Sequence, residues 1–359
     1  MSIVPLFGHT ELRARLTDAA KRGTLPASLL LQGPRGVGKQ RLALWLAQLL
    51  LCESGKSGPC GACQHCRFAT ELTHPDLHWY FPRPRQKDSD PDLDDVRADY
   101  AEAVAERAHA AGLYAPPSGS EGIYVATVRA IVQQAVMSPA IAKRKVFVIG
   151  DAERMVPQEG TEQAANAFLK LLEEPPANTT IVLTSSEPGA LLPTIRSRVV
   201  AIRVPPVSQA DVREFLLNLA VADRLEDDDS LPTGIAERVV FAGGAPGRLF
   251  AGAMWTQAIE NARRLLDSVS HKKASARYEA AWTQSTTKAR GSFADTLDAL
   301  TIALHDRARS AVRRGAERAA VAESRAMEAI EVAKERVASN VSPQLITVNL
   351  LRELQELLS

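Results

Sequence analysis

The chain has 359 residues, and at roughly 150 residues per domain this length predicts two or three domains. Hydrophobic residues make up 45% and charged residues 24%, ordinary globular values that exclude intrinsic disorder, collagen and a small disulfide scaffold. Lys plus Arg number 43 against 42 Asp plus Glu, a net charge of +1, so any nucleic-acid contact must be local rather than a matter of bulk charge.

The N-terminus, Met-Ser-Ile-Val-Pro-Leu-Phe-Gly, has neither a basic n-region nor a signal-peptide core. The longest apolar run, Leu42 to Cys52, is eleven residues with one Gln, short of the ~20 that span a bilayer. These features predict a soluble, cytoplasmic protein with no membrane partner.

Ser28-Leu-Leu-Leu-Gln32 is a short apolar run that predicts a buried strand, and Gln40 to Leu51 has helical spacing. Between them lies Gly33-Pro-Arg-Gly-Val-Gly-Lys39, a phosphate-binding loop in its required strand–helix context. Gly33, Gly36 and Gly38 let backbone N–H groups curl around phosphate oxygens, and Lys39 would reach the outer phosphates. The next position should carry the Ser or Thr hydroxyl that holds Mg²⁺, but it is Gln40, whose amide oxygen would be a weak ligand. The sharper reading is nucleotide binding without turnover; the plainer one is a turn that only packs the sheet.

Cys52-x₇-Cys60-x₂-Cys63-x₂-Cys66 contains all four cysteines of the chain within fifteen residues. Four thiolates match a closed tetrahedral Zn²⁺ site with a structural role, and an iron–sulfur cluster is the main rival. Residues 83–122 look inserted: Asp88, Asp90, Asp92, Asp94, Asp95 and Asp99 crowd one end and Pro116-Pro-Ser-Gly-Ser120 lies near the other, predicting a solvated, mobile excursion.

Lys145-Val-Phe-Val-Ile-Gly150 and Thr180-Ile-Val-Leu-Thr184 are further strand candidates, and Gln163 to Glu174 between them has helical spacing stopped by Pro175-Pro176. Alternation of this kind predicts a parallel α/β sheet. Asp151 follows a strand, where a metal-binding acid belongs. The neighbouring position, where a hydrolytic P-loop ATPase polarises water with Glu, is Ala152; Glu153 is one residue late, with its side chain expected to point elsewhere.

Pro193-Thr-Ile-Arg-Ser-Arg198 follows the third strand. Arg198 reads either as a surface ion pair or as an arginine finger for phosphate charge in a neighbouring subunit. From about Pro205 helical periodicity takes over, with a helix expected from Ser208 to Leu219, a break at Gly243-Gly-Ala-Pro-Gly247, and long Ala-rich segments running to Leu358. Arg307, Arg309, Arg313, Arg314 and Arg318 form a basic stretch on one of these, more often a solvated or oligomer-facing surface than a DNA groove.

Taken together, the chain resembles the delta-prime family of the bacterial DNA polymerase III clamp loader, within the AAA+ proteins. The resemblance rests on the degenerate phosphate loop, the four-Cys knuckle followed by Thr73-His-Pro-Asp76, Ala165-Asn-Ala-Phe-Leu-Lys-Leu-Leu-Glu-Glu-Pro-Pro176, Thr194-Ile-Arg-Ser-Arg198 and Gly243-Gly-Ala-Pro-Gly247. It implies an α/β AAA+ domain over 1–204, with a zinc knuckle (52–66) and the insertion (83–122). A small helical lid (205–250) and a C-terminal all-α collar for oligomerisation (251–359) would follow. It further implies a non-hydrolysing subunit of a hetero-oligomeric ring that opens the sliding clamp and places it on primed DNA. Its partners would be the ATPase subunits and the clamp-opening subunit, within the DNA polymerase holoenzyme.

Ser197 and Arg198 match the first two positions of the family's Ser-Arg-Cys finger motif, and the third is Val199. Lys39 is present although the family sometimes loses it, which leaves nucleotide binding open. Gly247 stands near the lid's sensor-arginine position, with Arg248 one residue later. An active AAA+ motor subunit of the same loader is the alternative, against which Gln40 and Ala152 count. A zinc-dependent protein that binds nucleic acid alone is a third, disfavoured by the near-zero net charge.

Overall fold

The computed structural model describes residues 2–54, 57–86, 88, 91–117, 121–155, 162–271, 274–282, 290–338 and 341–358. Helix α1 (Thr10–Lys21) leads into β1 (Ser28–Gln32), the loop 33–38 and α2 (Lys39–Leu51). A short helix α3 (Gln64–Thr70) and strand β2 (Leu77–Tyr80) follow, then α4 (Leu93–His109), α5 (Val125–Val136) and β3 (Lys145–Ile149). Next come α6 (Glu162–Glu173), β4 (Thr179–Ser185), α7 (Pro193–Arg196) and β5 (Val200–Arg203). The five strands form one sheet in the order β2-β3-β4-β1-β5, and each neighbouring pair is parallel. The parallel α/β sheet expected from the sequence is therefore present, with two strands, β2 and β5, that the apolar runs alone did not single out.

A parallel sheet is covered on both faces, so its strands read as continuous apolar runs whose alternate residues enter different cores. Leu29, Leu31, Val146, Val148 and Val182 pack with Leu42 and Leu46 of α2 on one face. Leu30, Phe147, Ile149, Ile181 and Leu183 pack with Ile131 of α5 and Phe168 and Leu172 of α6 on the other. The carboxyl ends of β1, β4 and β3 form the edge where open α/β sheets place their sites.

The insertion differs from the expected solvated excursion. Arg83 and Gly122 close it with paired backbone hydrogen bonds of 2.9 Å, and Arg83 grips Asp99 through Nε at 3.1 Å and Nη2 at 2.8 Å. Within it, α4 buries Val96, Tyr100 and Ala103 against the sheet domain. The aspartates serve this helix: the Asp92 carboxylate caps the N–H of Asp94 at 2.8 Å, and Asp94 and Asp95 sit in the first turn, where negative charge is favoured. Asp90 and Ser118–Ser120 lie outside the described residues.

Past β5 the chain is helical. The expected helix from Ser208 is two: α8 (Gln209–Leu216), started by a Ser208–Asp211 capping box, and α9 (Leu219–Leu225), restarted by the Asn218 side chain on Ala220 N–H at 3.2 Å. Helix α10 (Ile235–Ala242) ends at Gly243 in the left-handed region. Helices α11 (Gly252–Ser270), α12 (Ala274–Trp282), α13 (Arg290–Arg313), α14 (Glu317–Ala338) and α15 (Pro343–Leu358) complete the chain. The chain divides into two compact units: 1–228 with 232–250, and 229–231 with 251–359. The first holds the sheet and α8–α10; the second holds α11–α15, its core built from residues such as Leu265, Phe293, Leu297, Ile330 and Leu351. Among the described residues no helix is long and apolar enough to cross a membrane.

Candidate functional site

The loop after β1 turns in a small space because Gly36 (φ 83°) and Gly38 (φ 93°) adopt the left-handed backbone that side chains resist. Gly33 N–H donates to the Ser185 carbonyl at 3.3 Å, tying the loop's start to β4. Lys39, which opens α2 and is buried, does not project outward. Its Nζ donates to the carbonyls of Gly33 and Pro34 at 2.9 Å and to Ser186 Oγ at 2.8 Å. Arg35, also in the loop, donates to Glu187 at 3.3 Å. His9, at the start of α1, holds the Val37 carbonyl through Nε2 at 2.8 Å, and burial lowers its pKa. The cradle is thus braced from three sides by the chain itself.

Gln40 and Asp151 meet, as the two sides of a phosphate-loop metal site should, but no hydroxyl stands between them. Gln40 Nε2 donates to Asp151 Oδ2 at 3.0 Å, and Gln40 Oε1 accepts the indole N–H of buried Trp79 at 3.0 Å. The indole nitrogen is donor-only, which fixes the amide's orientation: oxygen to Trp79, NH₂ to Asp151. The weak Mg²⁺ ligand expected at this position is therefore turned away from the carboxylate, onto Trp79. The arrangement requires Gly150, because a Cβ there would lie 2.4 Å from Gln40 Oε1.

Glu153 also departs from expectation. It sits in the turn Ala152–Arg154 and points back into the site, its Oε1 accepting Ser186 N–H at 2.9 Å beside the hydroxyl that holds Lys39. Its Oε2 is shut off from solvent and has no hydrogen-bond partner among the described residues. Burial first, and the neighbouring Asp151 second, push its carboxyl up to about 7. The positions one and two after the strand-end acid thus hold Ala152 and a buried carboxyl that faces the loop lysine.

The segment that follows α10 meets the loop backbone to backbone. Gly247 N–H donates to Gly36 O at 2.8 Å, and a Cβ on Gly247 would stand 2.8 Å from the Gly36 Cα. Arg248 next to it is buried, with Nη1 directed at the Ala242 carbonyl at the end of α10 at 3.3 Å.

The four cysteines converge. Cys52 ends α2, Cys63 caps α3, Cys66 lies within α3, and all four sulfurs lie within 4.8 Å of one another, with Cys60 and Cys66 at 3.9 Å. A metal–sulfur distance of ~2.3 Å gives a tetrahedron with an edge of about 3.8 Å, so the spacing fits one ion and not a multi-iron cluster whose irons each take their own sulfur. The N–H groups of Cys60, Cys63 and Cys66 donate to the sulfurs of Cys52, Cys60 and Cys63 at 3.4 Å, and the bond from Cys63 N–H holds the Cys60 thiol below its usual range. Burial instead pushes the Cys66 thiol up, so a cation is what would make its thiolate stable. The following Thr73-His-Pro-Asp76 is scaffold: Asp76 accepts the N–H groups of Ala140, Ile141 and Ala142 ahead of β3, the latter two at 2.9 and 2.8 Å.

Arg198 follows α7 just ahead of β5, at the amino edge of the parallel sheet and away from the carboxyl ends that carry the loop. Its Nε donates to Glu173 at 3.0 Å and its Nη1 to the Thr194 carbonyl at 3.0 Å. Ser197 Oγ donates to that same carbonyl at 3.1 Å. The structure thus gathers Gly33, Gly36, Gly38, Lys39, Gln40 and Asp151 at one place, and the four cysteines at another. Trp79, Ser186, His9 and Glu173 were not singled out from the sequence. Each acts through a tertiary contact, and only Glu173 lay in a quoted motif.

The family model described as DNA polymerase III, delta subunit matches residues 8–208. The subunit delta' of Pseudomonas aeruginosa is 34% identical over 218 residues, covering 60% of this chain and 52% of that one. The subunit delta' of Bacillus subtilis is 27% identical over 217 residues, covering 60% and 51%. A DNA polymerase III subunit gamma/tau of Mycobacterium tuberculosis is 27% identical over 248 residues, covering 69% of this chain and 35% of that one. The chain spans about half the length of the delta' relatives it matches. With more than half its residues inside the family match, and with the sheet, loop and knuckle all within or beside that match, the chain belongs to the delta-prime family of DNA polymerase III clamp-loader subunits.

Proposed function

We propose that the chain is a non-hydrolysing member of the clamp loader, helping to open the sliding clamp and load it on primed DNA while offering Arg198 to the nucleotide of a neighbouring ATPase subunit. The observation that carries the first half is the Gln40 amide stretched between Trp79 and Asp151, which stands where a hydroxyl and a metal would be needed. Lys39 folded onto its own loop, Ala152 and the inward Arg248 support the same reading. Its position in the structure, partly exposed just ahead of β5 at the sheet's amino edge, supports Arg198 as the donated group. On this reading α8–α10 act as the lid, α11–α15 as the oligomer collar, and the four cysteines hold a structural zinc. The partners are the ATPase subunits, the clamp-opening subunit, the clamp and, through the assembly, primed DNA.

The intact Lys39 and the similarity to a gamma/tau subunit favour a second reading, an active motor of the same loader. The test is ATP hydrolysis by the purified chain, alone and then titrated into its ATPase partners with clamp and primed DNA. No turnover alone, with partner turnover that needs this chain and collapses on Arg198→Ala, is the expected result. Turnover by the chain alone that disappears in Lys39→Ala would make it the motor.

A further inference from the structure

Two segments that carry the family resemblance, far apart in sequence, meet in a single contact. Helix α6 ends at Glu173 because Pro175 and Pro176 cannot continue it, and buried Leu171 and Leu172 lock its last turn into the core. Arg198 is anchored on its side by Ile195, buried in the same core, at the turn that follows α7. Glu173 therefore arrives at a fixed place beside Arg198 and accepts its Nε at 3.0 Å, while the Thr194 carbonyl accepts Nη1. A guanidinium has five N–H donors in one plane. Two anchors, Glu173 on the Nε side and the Thr194 carbonyl on Nη1 across from it, fix that plane, and among the described residues Nη2 has no partner. The outer edge, Nη2 with the second Nη1 hydrogen, is the fork that receives two phosphate oxygens.

We propose that Glu173 is a positioning residue for Arg198, holding the guanidinium edge-on so that its outer fork meets the terminal phosphate of a nucleotide bound by the adjacent subunit. This rests on the reading of Arg198 as a donated finger. An arginine on a long side chain otherwise samples many rotamers, and prealignment lowers the cost of reaching the transition-state geometry. Neighbouring Glu174 is exposed and makes no described contact with Arg198, so it supplies the same charge without the same bond.

The experiment uses the full chain assembled with its ATPase subunits, clamp and primed DNA, and reads single-turnover ATP hydrolysis together with ATP affinity. Arg198→Ala lowers the rate about 10³-fold, the scale of an arginine finger. Glu173→Gln lowers it about 3–10-fold at unchanged ATP affinity, Glu173→Asp recovers part of that loss, and Glu174→Gln has no effect. The double variant Glu173→Gln with Arg198→Ala is no slower than Arg198→Ala, because Glu173 acts only through the guanidinium. Unfolding midpoints and ring assembly stay at wild-type values for the Glu173 variants. A Glu173→Gln rate equal to wild type, beside a collapsed Arg198→Ala, overturns the positioning role and leaves the finger standing. A wild-type rate in Arg198→Ala overturns the finger itself. A double variant slower than Arg198→Ala by the full Glu173→Gln factor shows that Glu173 acts elsewhere and also overturns the proposal.

Discussion

Gln40 donates its amide N–H to the carboxylate of Asp151 at 3.0 Å while its oxygen takes the indole N–H of Trp79 at the same distance. One neutral side chain thus satisfies two groups that would otherwise be left at the carboxyl ends of β2 and β3. Trp79 is almost wholly buried, so removing its acceptor leaves a dry donor unpaired, at a cost of about 2 kcal/mol. Gln40→Ala should therefore lower the unfolding free energy by roughly that amount, read as a shift in the urea midpoint. Gly150→Ala drives a methyl into Gln40 Oε1 and should cost a similar ~2 kcal/mol. The two losses share one contact, so the double variant should be markedly less destabilised than their sum. Simple additivity would mean that the amide does not hold this position in solution.

The knuckle should bind one zinc per chain and give a colourless protein. Its metal would tie the end of α2, through Cys52, to α3, through Cys63 and Cys66. Chelation, or Cys66→Ser, should lower the unfolding midpoint and expose the remaining thiols to a thiol reagent, because an ion that binds only the folded chain adds its binding energy to stability. A brown protein with iron in elemental analysis would refute the single-ion site.

The sheet was legible where residues pack by type. Leu29 to Leu31, Val146 to Ile149 and Ile181 to Leu183 are apolar on both faces, and the loop glycines and the cysteine spacing state their own geometry. What stayed hidden depends on partners distant in sequence. β2 carries His78 and Trp79 within four residues, and β5 has exposed residues, so neither reads as a buried run. Glu153 looked misplaced by one residue because a continued strand would turn it away. The left-handed backbone at Asp151 (φ 47°) and the tight turn after it bring it back toward Ser186. In the insertion the aspartates drew attention from Val96, Tyr100 and Ala103, whose spacing of four and three is one helical face.

That helix gives a direct test of the insertion's order. Tyr100 Oη donates to the Phe81 carbonyl at 2.7 Å in a buried setting, so Tyr100→Phe should cost about 1 kcal/mol. Asp92→Ala removes the cap and should cost about 1 kcal/mol of helix stability. Hydrogen exchange along 93–109 should show protection in the wild type that weakens at the N-terminal turn in Asp92→Ala. Exchange throughout this segment at the rate of an unstructured chain would restore the picture of a loose excursion.

Glu153 ties the site to pH. Its carboxyl is pushed from the ordinary 4.5 up to about 7, by burial first and by Asp151 second, while Ser186 N–H and Lys39 pull the other way. A raised acid binds its proton more tightly folded than unfolded, so between about 4.5 and 7 the folded chain holds more protons. Stability from this group is therefore complete below the lower value and is lost as pH rises through the upper one. The span corresponds to about 3 kcal/mol. Glu153→Gln keeps an oxygen for Ser186 N–H and carries no charge, so it should match the wild type near pH 4.5 and exceed it above pH 7 by an amount approaching that figure. The buried His74 and the half-buried His78, lowered to about 4 chiefly by desolvation, bring an opposite dependence, with stability lost as pH falls below the usual histidine range. They are common to both proteins, so the difference between urea midpoints, measured from pH 5 to 8.5, isolates Glu153. Adding Asp151→Asn to both should shrink the difference by removing the second cause. A difference that stays flat across the range would mean that water or a cation reaches the carboxylate, and that the space behind Lys39 is open rather than sealed.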